Sequence, residues 1–96
     1  MSELRVLLAA MLNQDWPDMY PSVWAAVASF KENSTRDELT SAHDELAAVL
    51  ARGLTERQLD VDIMRDVYDT GYGPGGDGMS MTEFLTLLEV ELRPPT

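Results

Sequence analysis

Leu4-Arg5-Val6-Leu7-Leu8-Ala9-Ala10-Met11-Leu12-Asn13-Gln14-Asp15-Trp16-Pro17 is the stretch on which the reading of this chain turns. An apolar run meets a polar cluster, a tryptophan and a proline. Leu4, Leu7, Leu8, Met11 and Leu12 recur at i, i+3, i+4, i+7 and i+8, the spacing of one helix face. The spacing predicts a helix from about Glu3 to Leu12, with Glu3 in the first turn, where the macrodipole favours an acid. Asn13 can take the left-handed conformation that closes a helix. Pro17 biases Trp16 toward an extended backbone and blocks continuation. The first helix therefore stops here and hands over to a second, aromatic-rich segment.

That segment holds Trp16, Met19, Tyr20, Val23, Trp24, Val27 and Phe30. Pro21 suits a first helical turn, which predicts a helix from about Pro21 to Lys31. Asp15 and Asp18 stand before it, placed to cap or order the turn. Aromatics at helical spacing belong first to a core. Trp16, outside the helix, and Tyr20, with its polar tip, are the two with most scope for exposure.

Three capping boxes mark the remaining helices. Ser34 or Thr35 caps the next helix, where Thr35-Arg36-Asp37-Glu38 fits the box; its stripe is Leu39, Ala42, His43, Leu46, Val49 and Leu50, closed by Gly53-Leu54. Thr55-Glu56-Arg57-Gln58 opens the next, with Leu59, Ile63 and Val67 inward, Met64 and Tyr68 alongside, and an end near Asp69 or Thr70. Gly71 to Gly78 contains five of the six glycines and reads as a loop without regular structure. Ser80-Met81-Thr82-Glu83 then opens a helix carrying Phe84, Leu85, Leu88 and Leu92, ended by Pro94 and Pro95. No strand, repeat or linker stands out. The expected fold is all-α, a single domain over residues 1–96 built as a compact bundle of about five short helices.

Composition narrows the function. Hydrophobic residues make up 45% of the chain, too many for a disordered one. With no cysteine, disulfides and thiolate metal sites are excluded, and a reducing cytoplasm is the expected location. The run Val6 to Leu12 is too short to span a bilayer and lacks a cleavage site after it. Seventeen acids against seven bases give a formal charge of −10. That disfavours direct contact with nucleic acid, which wants a basic surface, and favours fast association with a basic protein. A plain solvated acidic surface is the other reading of the same charge.

No catalytic or metal site assembles. Asp77-Gly78 with Glu83-Phe84 has the look of half an EF-hand, but the register fails. With Gly78 at the sixth loop position, the first and third are Gly73 and Gly75, and the twelfth is Phe84. Gly71 to Gly78 lacks the preceding strand and following Lys-Ser/Thr of a phosphate loop. The Asp-Ser-Leu of an acyl carrier is absent. His43, the one histidine, lies on an apolar stripe and reads as a half-buried residue with a hydrogen-bond partner.

The fourth helix carries the most informative acids. Asp62, Asp66 and Asp69 fall at i, i+4 and i+7, where like charges cost a helix roughly 0.2–0.5 kcal/mol per pair. Asp66 and Asp69 also sit near the C-terminal end, where the macrodipole disfavours anions. A cation from within the chain, with Arg57 and Arg65 nearest, or from a partner would account for the stripe; so would a solvated face on a stable bundle. Tyr72 and Asp77, in the loop beyond, are the natural neighbours of that surface and complete the expected partner-binding set.

Taken together, these residues resemble a small helical family of immunity proteins from bacterial contact-dependent growth inhibition systems. The resemblance is carried by Leu8 through Asp15-Trp16, then Tyr20, Trp24, Val27 and Phe30. It continues through the capped helix with Leu46 and Leu50 and the glycine-rich turn before Ser80 and Phe84-Leu85. It covers about Leu4 to Leu92. Asp15, Trp16, Tyr20 and Trp24 form its structural motif, and Phe84 stands where a tryptophan is expected. The resemblance implies a non-enzymatic inhibitor without cofactor, a monomer that binds the C-terminal domain of a cognate toxin one to one. Many such toxins are nucleases with basic surfaces, which an acidic protein would match by charge. An acidic regulatory or adaptor domain that binds another protein is the alternative from a different class.

Overall fold

The computed structural model describes residues 2–94, all of whose regular structure is helical. Pro95, expected to help end the last helix, lies outside the described residues. Helix α1 (Glu3–Arg5) is capped by Ser2, whose hydroxyl accepts from the Arg5 amide, and runs directly into a π-wound segment, π1 (Val6–Met11). Short α2 (Trp16–Met19) follows, then α3 (Val23–Glu32), α4 (Arg36–Leu50) and a second π-wound segment, π2 (Gln58–Arg65). A 3₁₀ turn (Pro74–Asp77) and α5 (Met81–Leu92) complete the order.

The helix starts follow from hydroxyl caps. Thr35 accepts from the Glu38 amide at 3.1 Å while Glu38 accepts from the Thr35 amide at 2.7 Å. Ser80 and Glu83 make the same reciprocal pair at 3.0 and 3.1 Å, and Thr55 and Gln58 at 3.2 and 2.9 Å. Each box satisfies two backbone donors that the first turn leaves without helical partners. All three match the sequence. Glu56 adds a cap from a distance: its carboxylate accepts from the Met81 amide at 2.7 Å and the Thr82 amide at 2.8 Å, which ties the start of the fourth helix to the start of α5. These donors hold the Glu56 carboxyl below the usual carboxylate range, the Thr82 amide foremost.

The corner after π1 is made differently from the expectation. Asn13 is not left-handed; Asp69 is the one non-glycine residue with positive φ among those described, at 54°. The Asn13 side chain closes the helix instead. Its Nδ2 donates to the Ala10 carbonyl at 2.9 Å, and its Oδ1 accepts from the Asp15 amide at 2.8 Å. That is a side chain imitating a turn of backbone. Asp15 therefore does not order the turn; its side chain makes no capping bond. Pro17 does not hold Trp16 extended but sits in the first turn of α2, where its missing N–H costs nothing. Ser22, not an aspartate, caps α3 by accepting from the Ala25 amide at 3.1 Å.

One cluster of buried side chains joins all the long helices. Leu4, Leu7, Leu8 and Leu12 are fully buried, as are Leu46, Leu85, Leu88 and Leu92. α4 pairs most extensively with α5, and α1 lies next to α4. Four aromatics link the elements: Trp16 meets Tyr72 edge-on at 5.5 Å, Tyr72 meets Phe84 at 4.7 Å, and Phe84 meets Trp24 at 5.7 Å. Such pairs contribute about 0.5–1.5 kcal/mol each beyond burial. The first and last of the four come from the aromatic-rich segment, where both are half-buried against the core.

The glycine-rich loop is more ordered than its composition suggests. It contains the 3₁₀ turn, and it buries Tyr72 and Pro74. Val67 is a second departure: expected inward, it is 44% exposed, while Tyr68 takes the core position at 5%. The winding is the reason. Asp66 donates its amide to the Val61 carbonyl and Tyr68 to the Ile63 carbonyl, each five residues back and at 3.0 Å, and the Ile63 carbonyl accepts the Val67 amide as well at 3.1 Å. In such a ladder the residue above Ile63 is Tyr68.

Candidate functional site

Asp62 lies in the C-terminal half of π2, Asp66 is its C-cap, and Asp69 stands in the turn beyond. All three are exposed. The cation from within the chain, one of the accounts left open for the stripe, does not meet them. Arg65 turns to Asp60, five residues back, at 3.5 Å. That pairing follows from the π winding, which stacks residues about five apart. Among the described residues none of the three stripe acids has an ion-pair partner. Asp62 and Asp66 thus face solvent in the last turn, where the partial charge is negative, while Asp69 follows beyond the helix in a left-handed turn, so the even i, i+4, i+7 spacing of an α-helical stripe is not kept.

The end of the stripe is fixed by the corner that opens the chain. Asp69 takes the left-handed conformation, which aspartate tolerates better than most side chains. The chain then runs against the helix-one corner: the Gly71 amide donates to the Leu12 carbonyl at 2.7 Å, and the Thr70 hydroxyl reaches the same oxygen at 3.4 Å. A cleft of about 410 Å³ opens between the two segments, lined by Asn13, Gln14 and Asp15 on one side and Asp69, Thr70 and Gly71 on the other. Asp15 and Asp69 share this cleft. The sequence placed Asp15 in a structural motif; the fold sets it across a cleft from Asp69. The signal that could have found it is weak, because nothing in residues 13–15 announces a partner near residue 70.

Tyr72 does not extend the exposed face as expected. The Tyr72 ring is 5% exposed and packed between Trp16 and Phe84, so it belongs to the core. Its hydroxyl donates to Asp77 Oδ2 at 2.6 Å, which closes the glycine-rich loop on itself. Burial pushes the Tyr72 hydroxyl well above the usual tyrosine range, with the Asp77 bond adding to the shift. Asp77 remains exposed at the loop surface. Of the aromatic motif, Tyr20 is half-buried beside α3, and Trp16 and Trp24 cover the core from outside.

His43 lies outside this face. Its Nε2 stands 2.7 Å from Glu89 Oε1 and its Nδ1 3.1 Å from Asp44, so it bridges α4 to α5. The bond to Glu89, then that to Asp44, raises its pKa above 6.5. This is a structural staple with both ring nitrogens engaged. Among the described residues no three His, Asp or Glu side chains gather as a metal site, and no helix is long and apolar enough to cross a membrane.

Comparison with known proteins supplies the family. A crystal structure described as a CdiA-CT/CdiI complex from Y. kristensenii contains a chain similar to this one. The two share 24% identity, superpose with a TM-score of 0.84, and the match covers 94% of this chain and 95% of that one. At that identity the likeness establishes the fold. No curated protein matches the sequence. The model of the CdiI immunity protein family, however, matches residues 1–92, nearly the whole length. The chain is a member of the CdiI immunity protein family.

Proposed function

We propose that this chain neutralises a cognate toxin C-terminal domain by binding it one to one, and that the toxin is a basic nuclease. The observation that carries the reading is the row of exposed carboxylates, Asp62, Asp66 and Asp69, left without internal cations at an electrostatically unfavourable helix end. Family membership supplies the class of partner. The similar chain of known structure is described with a CdiA-CT partner, which supports the same class. Asp15 borders the face across the cleft, and Asp77 lies in the loop beyond it. Tyr72 serves from behind, through its bond to Asp77.

The chemistry is recognition, not catalysis. A protein of charge −10 attracts a basic domain from a distance, and an acidic face orients the encounter. Nucleases hold basic surfaces for phosphate, so occupying that surface with carboxylates would exclude the substrate. Growth of cells expressing the toxin domain encoded beside this chain's gene tests the reading. Co-expression of the wild-type chain restores growth. The triple variant Asp62→Asn/Asp66→Asn/Asp69→Asn folds at least as stably but protects poorly, because it has lost the unfavourable negative charge at the helix end as well as its attraction for the toxin. Full protection by the triple variant would remove the acidic face from the mechanism; no protection by the wild type would sink the function.

A further inference from the structure

The outer side of α5 carries an apolar surface that the acidic face does not include. Leu87 is 48% exposed and Val90 50%, one turn apart on the same helix. Trp24 of α3 stands beside them, half-buried, its ring tilted against Phe84 beneath. The three side chains and Glu91 line a groove of about 330 Å³. Leu87 also lines a second groove, of about 300 Å³, that continues toward the start of α5 past Thr86, Glu83 and Ser80. The two grooves form one strip along the helix.

We propose that this strip receives apolar side chains of a basic protein segment, and that the segment belongs to the same toxin domain, so the inference rests on the function proposed above. Charge decides the occupant. The ionisable residues lining the two grooves are Glu83 and Glu91, and no base lines either. Lys31 reaches Glu91 from α3 at 3.4 Å, but Glu83 has no cation among the described residues. A second copy of this chain would bring acid against acid and set two charges of −10 together. A segment with lysine or arginine beside its apolar residues would instead meet the Glu83 carboxylate, which has no cation among the described residues, at one end of an apolar middle, and at the other the Glu91 carboxylate that Lys31 shares. The strip also supplies what the aspartate row lacks. Exposed charges accelerate encounter, whereas desolvated apolar anchors, tryptophan above all, hold a complex together.

The division of labour gives the test. Association and dissociation of the toxin domain encoded beside this chain's gene are followed by surface plasmon resonance on the full-length chain. Leu87→Ser/Val90→Ser is expected to raise the dissociation rate at least about tenfold, the scale of losing interface anchors, and to leave the association rate within about twofold. Leu87→Met/Val90→Ile keeps the wild-type dissociation rate. Matching melting temperatures for all forms show that packing is intact. An unchanged dissociation rate in the serine variant, with the wild type binding, overturns the strip and leaves the toxin reading standing. Absence of wild-type binding overturns both. A dimer of the free chain in sedimentation, dissolved by the serine substitutions, overturns the strip in favour of self-association.

Discussion

A Cβ on Gly71 would lie 2.5 Å from the Asn13 carbonyl carbon and 2.5 Å from the Gln14 amide nitrogen. Both are backbone atoms, so neither can rotate away. The contact joins the corner that ends the first helix to the segment that ends the acidic row, and with it positions the cleft shared by Asp15 and Asp69. Gly71→Ala should cost about 1–3 kcal/mol, the scale of forced overpacking, seen as a lower urea midpoint. An unchanged midpoint would mean the two segments are not held this closely. His43 gives a pH dependence of its own. Its pKa is raised above 6.5 in the fold, chiefly by Glu89, so its stabilising contribution is complete below 6.5 and fades as pH rises through the raised value. The Glu89 carboxyl is held below 4.5, first by Arg93 and then by His43, so its contribution is present above 4.5 and is lost as pH falls through the lowered value. The staple between α4 and α5 is therefore strongest between those two ordinary values. His43→Gln should flatten the decline of melting temperature on the alkaline side of 6.5; a profile identical to the wild type would show that the bridge contributes nothing.

The π winding of the fourth helix separates what a sequence shows from what it hides. Leu59 and Ile63 stand four apart, a spacing that α and π ladders both stack, so the pattern reads correctly up to that point. The next core residue distinguishes them: Val67 continues the α register, Tyr68 the π register. The fold takes Tyr68, whose hydroxyl donates to Glu45 on α4 and whose ring lies under the Arg5 guanidinium at 5.4 Å. Those partners come from distant parts of the chain, which is why local periodicity missed them. Val67→Ser should shift stability by no more than about 0.5 kcal/mol, as for an ordinary surface position. Tyr68→Ala should cost about 3 kcal/mol or more. The reverse order would return the segment to an α register. By contrast, the capping boxes at Thr35, Thr55 and Ser80 are written within four residues each, and all three read true. The burial of Tyr72 in a glycine-rich loop was hidden for the same reason as Tyr68: Trp16 and Phe84, which enclose it, are far away in sequence. The exposure of the acidic row was legible, whereas its even spacing was not kept, because Asp66 caps the π-wound segment and Asp69 is left-handed. That Asp15 stands across a cleft from Asp69 was not legible, because the Gly71 contact spans the fold.

Across the whole molecule, exposed apolar side chains stand beside acids: Val67 follows Asp66, and Leu87 and Val90 share their grooves with Glu83 and Glu91. The core closes with its side chains in one cluster, among the described residues no buried side-chain polar atom is left without a partner, and the molecule is about as wide as a single small domain, 32 × 32 × 24 Å. The proposed partner surfaces are the acidic face, whose three aspartates have no ion-pair partner among the described residues, and the apolar strip on α5. At 0.1 M salt, charges are felt over about 10 Å, so the acidic face acts mainly during encounter. The most direct measurement is the association rate constant with the toxin domain, by stopped-flow fluorescence, across ionic strength. Recognition through the acidic face predicts a rate that falls at least about tenfold from low salt to about 0.5 M, and a distinctly shallower fall for Asp62→Asn/Asp66→Asn/Asp69→Asn. A wild-type rate indifferent to salt, or a triple variant with the wild-type slope, would contradict it.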